Sequence, residues 1–143
     1  MSIFVDTGVF FAHHDTDAQR HDDAVAGLDD LLDGQYGQPY TSDYVLDETV
    51  TLTRVRTGSF EAADTVAGRI LGEDPFPTVF ETIHVEPDDV QASLETFRTY
   101  SDHGLSFTDA TSVHLCESRG IDAVMSFDDD FDGLVERVEP GQE

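Results

Sequence analysis

L-S-F-T-D-A-T-S-V-H-L-C-E-S-R-G-I-D-A-V-M-S-F-D-D-D-F, residues 105 to 131, contains a helix, a buried strand and a cluster of carboxylates in direct succession. Ser106 and Asp109 stand at capping-box spacing, which predicts a helix over 107–119 that stops at Gly120. The apolar A-V-M-S-F then predicts a strand over 122–127, and Asp128 follows it immediately. The N-terminus repeats this ending, since S-I-F-V reads as a buried strand over 2–5 and runs straight into Asp6.

The remaining segments alternate in the same way. V-F-F-A followed by H-H-D-T-D leads into an amphipathic helix predicted near 16–33, with Ala24, Val25, Leu28, Leu31 and Leu32 at helical spacing. G-Q-Y-G-Q-P breaks the chain. P-Y-T-S is a short strand whose Ser42 caps a helix over 43–57, and a further helix is expected over 60–72. T-V-F-E-T-I-H-V reads as a strand, Pro87 as the first-turn residue of a helix running to about His103 and Gly104, and L-V-E-R-V-E as a short final strand. Strands alternating with helices imply one α/β domain over 1–139, a parallel central sheet flanked by helices, with 140–143 a frayed tail.

Length and composition agree with one core. A chain of 143 residues buries roughly 68–70% of its unfolded surface. Its 38% apolar content is too high for a disordered chain. The single Cys116 cannot form an internal disulfide, M-S-I-F-V-D lacks the form of a signal peptide, and no stretch approaches the roughly 20 apolar residues of a membrane span. A cytoplasmic protein without membrane contact is expected. The formal charge is −24, from 31 acidic residues against seven Arg and no Lys. Such a surface repels itself in dilute buffer and is screened in molar salt, where the Debye length is about 3 Å. An acidic domain that merely avoids nucleic acid would share the charge, but has no reason to exclude Lys; the composition reads as adaptation to a salt-rich cytoplasm.

Four acids stand where a divalent cation would be held: Asp6 and Asp128 at strand ends, Glu48 on a helix and Asp109 in a helical first turn. In folds of this class ligands sit beyond the carboxyl ends of the strands. Clustered carboxylates raise one another's pKa unless a metal neutralises them. Glu48 shares an apolar stripe with Tyr44, Leu52, Val45 and Val55, whereas its neighbour Asp47 lines up with Asp43, Thr51 and Arg54 on a solvated face. Glu48 could still be an edge residue reaching water, and Asp109 a plain helix cap, although it shares a stripe with Val113 and Cys116. Asp6 could cap a turn, and Asp128 could be one acid of an acidic loop.

D128-D-D-F-D-G133 followed by Glu139 also satisfies a calcium-loop pattern. A strand before it and Pro140-Gly141 after it disagree with the two helices such a loop requires. His13, His14 and His21 have no Cys partner and no metal-ligand spacing, and read as a polar helix start; His114 and Cys116 read as a core edge and a buried thiol.

V-D-T at 5–7, the Glu of V-L-D-E-T at 45–49, L-S-F-T-D-A at 105–110 and S-F-D-D-D-F at 126–131 together resemble the PIN-domain ribonucleases, especially the VapC-type toxins. Order, spacing and length match over essentially the whole chain. The resemblance implies a Mg²⁺- or Mn²⁺-dependent endoribonuclease acting on RNA, often a homodimer, held inactive by a cognate antitoxin. It implies Asp6, Glu48, Asp109 and Asp128 as catalytic metal ligands, Asp130 as an accessory acid or alternative fourth acid, and Thr7 as polar support. Arg20, Arg54, Arg56 and Arg69 are then the expected phosphate contacts. A haloacid-dehalogenase-type phosphatase would also gather acids at strand ends but needs a Lys, which this chain lacks. A non-catalytic acidic PIN-like binding module is the alternative.

The charge balance generates the first test. The thermal midpoint should climb continuously as KCl is raised from dilute to molar. Equal stability in low-salt buffer and in molar KCl would overturn the halophilic reading.

Overall fold

A computed structural model describes residues 1–142. The chain runs β1 (Ser2–Val5), α1 (Thr7–His14), α2 (His21–Leu32), β2 (Gln38–Ser42), α3 (Asp43–Thr57), α4 (Phe60–Leu71), β3 (Glu81–Ile83), α5 (Pro87–Thr99), α6 (Phe107–Arg119), β4 (Ala123–Met125), a 3₁₀ turn at Asp129–Phe131 and β5 (Arg137–Val138). The five strands form one sheet in the order β3-β2-β1-β4-β5, and every pairing is parallel. Successive strands move outward from β1 on one side, then the chain returns to place β4 on the other side of β1. The strand order therefore reverses between β1 and β4, where open α/β sheets leave a crevice. Among the described residues no helix is long and apolar enough to cross a membrane.

The core explains why these strands are central. Ile3, Phe4, Val5, Ala123, Val124 and Met125 are all fully buried, as expected for strands covered on both faces. Cys116 is buried against them, and desolvation pushes its thiol up to about 12, so it behaves as a small apolar side chain.

Several elements differ from the sequence expectations. Residues 7–14 form a separate helix, and the helix expected near 16–33 begins only at His21. Thr7, Val9, Phe10, Phe11 and Ala12 are all buried, so α1 is apolar around most of its circumference and has no amphipathic period to read. The α5 helix ends at Thr99, short of His103, and the strands shrink to the residues that actually pair, 81–83, 123–125 and 137–138. The inward stripe of α3 is Val45, Thr49 and Thr53, with each threonine hydroxyl donating to the carbonyl four residues earlier. Val55, expected on the apolar stripe beside Glu48, is 74% exposed. Pro140 is buried beside Gly27, while Glu143, the end of the expected tail, lies outside the described residues.

One buried polar network fixes α6, which carries Asp109. Asp89 on α5 accepts from Arg119 at both oxygens (2.7 and 3.0 Å), lies 2.9 Å from His114 Nε2, and accepts the Glu86 amide (3.0 Å). The Arg119 bonds hold the Asp89 carboxyl well below the usual carboxylate range. Asp89→Ala removes the acceptor of all these bonds and should cost about 2 kcal/mol in denaturant unfolding, less for Asp89→Asn, which keeps a side-chain oxygen for the Glu86 amide. Midpoints equal to wild type in both variants would show that the network does not hold α5 to α6.

Candidate metal and nuclease site

An open cleft of about 450 Å³ lies over the β1/β4 crevice, lined by Asp6, Glu48, Asp109 and Asp128 together with Thr7, Arg20, Ser126 and Phe127. Acids more than 120 positions apart in the chain thus meet. Asp6 is delivered by β1, whose end is tied to β4 by the Asp6 amide donating to the Met125 carbonyl (3.1 Å). Glu48 comes from the second turn of α3, which Ser42 caps by accepting from the Val45 amide (3.1 Å). Asp109 is both the N3 member of the capping box that starts α6 and a wall of the cleft. Its Oδ2 accepts the Ser106 amide and its own amide donates to Ser106 Oγ, both at 3.0 Å. The two readings of this residue were not exclusive. Asp47, expected on the solvated face, is exposed.

Ser126 is the member that sequence reasoning missed. Fully buried after β4, it donates its hydroxyl to Asp6 Oδ2 (2.8 Å) and accepts the Asp128 amide (3.0 Å), so one side chain sets the relative position of two acids. The only signal available was a hydroxyl in an otherwise apolar strand run, which is unremarkable without the fold.

The acids burden one another. Burial raises the Asp6 carboxyl to about 7, and Asp109 and Glu48 push it in the same direction. Burial likewise raises Asp109 to about 6, helped by Asp128 and Glu48 against the Ser106 bonds that lower it. Asp6 Oδ1 is buried with no hydrogen-bond partner among the described residues. A buried carboxylate oxygen without a donor costs free energy, and a cation is what would satisfy it. The donor set, all carboxylate oxygen, suits a hard divalent ion.

Asp128 and Asp130 separate by position. Asp128 lines the cleft and its Oδ1 accepts the Asp130 amide (2.9 Å), whereas Asp130 does not line it, its carbonyl 3.4 Å from His103 Nδ1 and its carboxyl raised by the adjacent Asp128. Asp128, Asp129 and Asp130 bring carboxylate oxygens within 4.8 Å of one another. The calcium-loop reading fails. Asp132 and Glu139 both pair with Arg137 (2.7 and 3.4 Å), and the segment runs from a 3₁₀ turn into β5 instead of into a helix.

The arginines divide as well. Arg20 lines the cleft, its guanidinium over the Phe127 ring at 4.9 Å and donating to the Phe127 carbonyl (3.2 Å). Arg54 and Arg56 stack on Phe60 and Phe11 at the exposed end of α3. Arg69 sits apart, over Phe76 in an apolar groove also lined by His13 and Phe80 that shares no residue with the cleft. His21 Nδ1 is 2.9 Å from the Ala12 carbonyl and His14 Nδ1 is 3.3 Å from Arg69, and among the described residues the three N-terminal histidines form no metal-ligating group.

The raised carboxyls give a signed prediction. Asp6 holds its proton more tightly folded than unfolded, so its contribution is most favourable below pH 4 and is lost as pH rises from 3.8 through about 7. The thermal midpoint of protein stripped of divalent ions should therefore rise as pH falls from about 8 to about 5, and Asp6→Asn should flatten that slope while raising the pH 8 midpoint by roughly 5 °C. An unchanged slope in the variant would remove Asp6 as the burdened group.

With the geometry in place, similarity to known proteins is informative. The PIN domain family matches residues 3–136. A VapC ribonuclease of Archaeoglobus fulgidus is 28% identical over 133 residues, 92% of this chain and 80% of that one. The 23S rRNA-specific endonuclease VapC20 of Mycobacterium tuberculosis is 32% identical over 136 residues, 94% of this chain and 96% of that one. Its crystal structure, described as that of a Sarcin-Ricin loop cleaving toxin, superposes with a TM-score of 0.79 over 96% of this chain and 99% of that one. VapBC2 of Rickettsia felis, solved on a promoter DNA fragment, shares the fold at 12% identity and a TM-score of 0.68, over 96% of this chain and 98% of that one. A five-stranded parallel sheet, an acid cleft at its switch point and a match over nearly the whole length lead to one conclusion, that this chain belongs to the PIN-domain family.

Proposed function

We propose that the chain is the toxin of a toxin–antitoxin pair, a Mg²⁺- or Mn²⁺-dependent endoribonuclease that works as a homodimer and is silenced by a cognate antitoxin. The observation that carries this reading is the convergence of Asp6, Glu48, Asp109 and Asp128 on one cleft, with Asp6 Oδ1 buried and unpartnered. A non-catalytic acidic module would have no use for that oxygen. The family match and the relatives named ribonuclease and endonuclease support the RNA-cleaving chemistry. The likeness to VapBC2 supports a PIN fold of the kind that pairs with a second protein.

When bound, the divalent ion supplies an activated water as nucleophile and offsets charge on the phosphate. The chain's own residues do the rest. Asp6, Glu48, Asp109 and Asp128 would hold the ion, and Asp130 would serve as an accessory acid beside Asp128. Ser126 is a positioning residue that orients Asp6 and Asp128 together. Thr7 and Arg20 face the substrate within the cleft, and Arg54 and Arg56 extend the contact along the exposed end of α3. Arg69 was expected on phosphate too, but its separate groove does not support a contact near the acids. Because VapC20 is named for 23S rRNA, ribosomal RNA is the substrate to test first.

In molar KCl with Mg²⁺ or Mn²⁺ the protein should cut RNA, and EDTA should abolish the cut reversibly. Asp6→Asn, Glu48→Gln and Asp109→Asn should each lose about two orders of magnitude in rate, and Asp128→Asn more than Asp130→Asn. No cleavage by the wild-type protein under either divalent ion would leave the acidic binding module as the correct reading, and a wild-type rate in any cleft variant at saturating Mg²⁺ would remove that residue from the site.

A further inference from the structure

Resting on the nuclease reading, we infer that the first turn of α1 and Arg20 together form a phosphate subsite on the rim of the acid cleft, one that takes an RNA phosphate flanking the scissile bond. Three independent features point there. Thr7 is 5% exposed, lines the cleft, and its Oγ1 is buried without a hydrogen-bond partner among the described residues. A buried hydroxyl without a partner is costly, and a phosphate oxygen would accept from it.

The α1 N-terminus adds a backbone donor. Asp6 is the N-cap and its side chain makes no capping bond, so although the Thr7 amide lies against the Asp6 carboxyl, the next amide of the helix start, that of Gly8, is left to a ligand. Gly8 lines the same cleft, and a Cβ built on it meets nothing within 4 Å. The bare glycine leaves the Gly8 amide open to close approach, which a side chain would narrow.

Arg20 supplies the charge. Among the described residues it is the sole cationic side chain lining the cleft, and no carboxylate lies within ion-pair distance of it, although four acids share that cleft. Stacking on Phe127 and the bond to the Phe127 carbonyl fix one face of the guanidinium and leave its remaining donors free. In a chain of charge −24, a positioned and unpaired Arg beside a hydroxyl and the Gly8 amide is where an anion can be held against the general repulsion.

The test measures binding of a short single-stranded oligoribonucleotide in EDTA by fluorescence anisotropy, across a KCl series, beside cleavage with Mg²⁺. Arg20→Ala should weaken binding about tenfold and reduce the salt slope by about 0.7, the share of one phosphate. Arg20→Lys should recover the slope but only part of the affinity. Thr7→Val should weaken binding without altering the slope. Gly8→Ala, which favours the helix and so keeps the thermal midpoint at or above wild type, should also weaken binding. Unchanged affinity and slope in Arg20→Ala, or no wild-type binding of the oligonucleotide, would overturn the subsite. Intact binding with no cleavage under any divalent ion would instead sink the nuclease reading and leave the subsite standing.

Discussion

Mutual repulsion among carboxylates in a partly desolvated crevice is the constraint on which this structure turns. Nothing local gathers Asp6, Glu48, Asp109 and Asp128; the parallel sheet does, by placing β1 beside β4 and leaving its switch point open. Burial raises the Asp6 and Asp109 carboxyls, the neighbouring acids add to both, and Asp6 bears the larger burden because it is the more buried. The surrounding bonds read as answers to that strain. Ser126 donates to one Asp6 oxygen, the Ser106 amide donates to Asp109, and the Asp130 amide donates to Asp128. Asp6 Oδ1 is left without a hydrogen-bond partner among the described residues, an opening that a bound cation would fill.

The same electrostatics set the problem of substrate. A surface of charge −24 repels RNA, and each phosphate contact must be made locally. Five arginines take part in no ion pair among the described residues, and four of these, Arg20, Arg54, Arg56 and Arg69, lie against a phenylalanine ring. Stacking immobilises a guanidinium without neutralising it, whereas pairing with one of 31 acids would cancel its charge. Arg119 and Arg137 show the other use, as structural clamps on Asp89 and Asp132. The chain thus keeps its few cations in two separate roles.

What the sequence made legible follows from how far each signal reaches. Capping signals at Ser42 and Ser106, the stop at Gly120 and the strand ending on Asp6 are local, and all appear where expected, whereas β4 stops at Met125, three residues before Asp128. Glu48 was found beside Val45, though the stripe that supported it is formed inward by threonines, and Val55 faces solvent. The α1 helix was missed because a helix buried nearly all round has no period to detect. Ser126, the Asp89 network and the separate groove of Arg69 depend on side chains from distant segments, and no window of sequence contains both partners.

Asp109 shows why a structural and a functional reading of one residue need not compete. As the N3 member of a capping box it accepts the Ser106 amide, and its position in the first turn of α6 lets the helix dipole favour its charged form. Both effects oppose the desolvation and the neighbouring acids that raise it to about 6, below the value at Asp6, which caps α1 without a side-chain bond. A buried carboxylate held by a cap stays closer to its ionised state, and an ionised oxygen is what a divalent cation requires. The cap that organises the helix is therefore part of what prepares the ligand, and a spacing explained by helix physics alone can still mark a site.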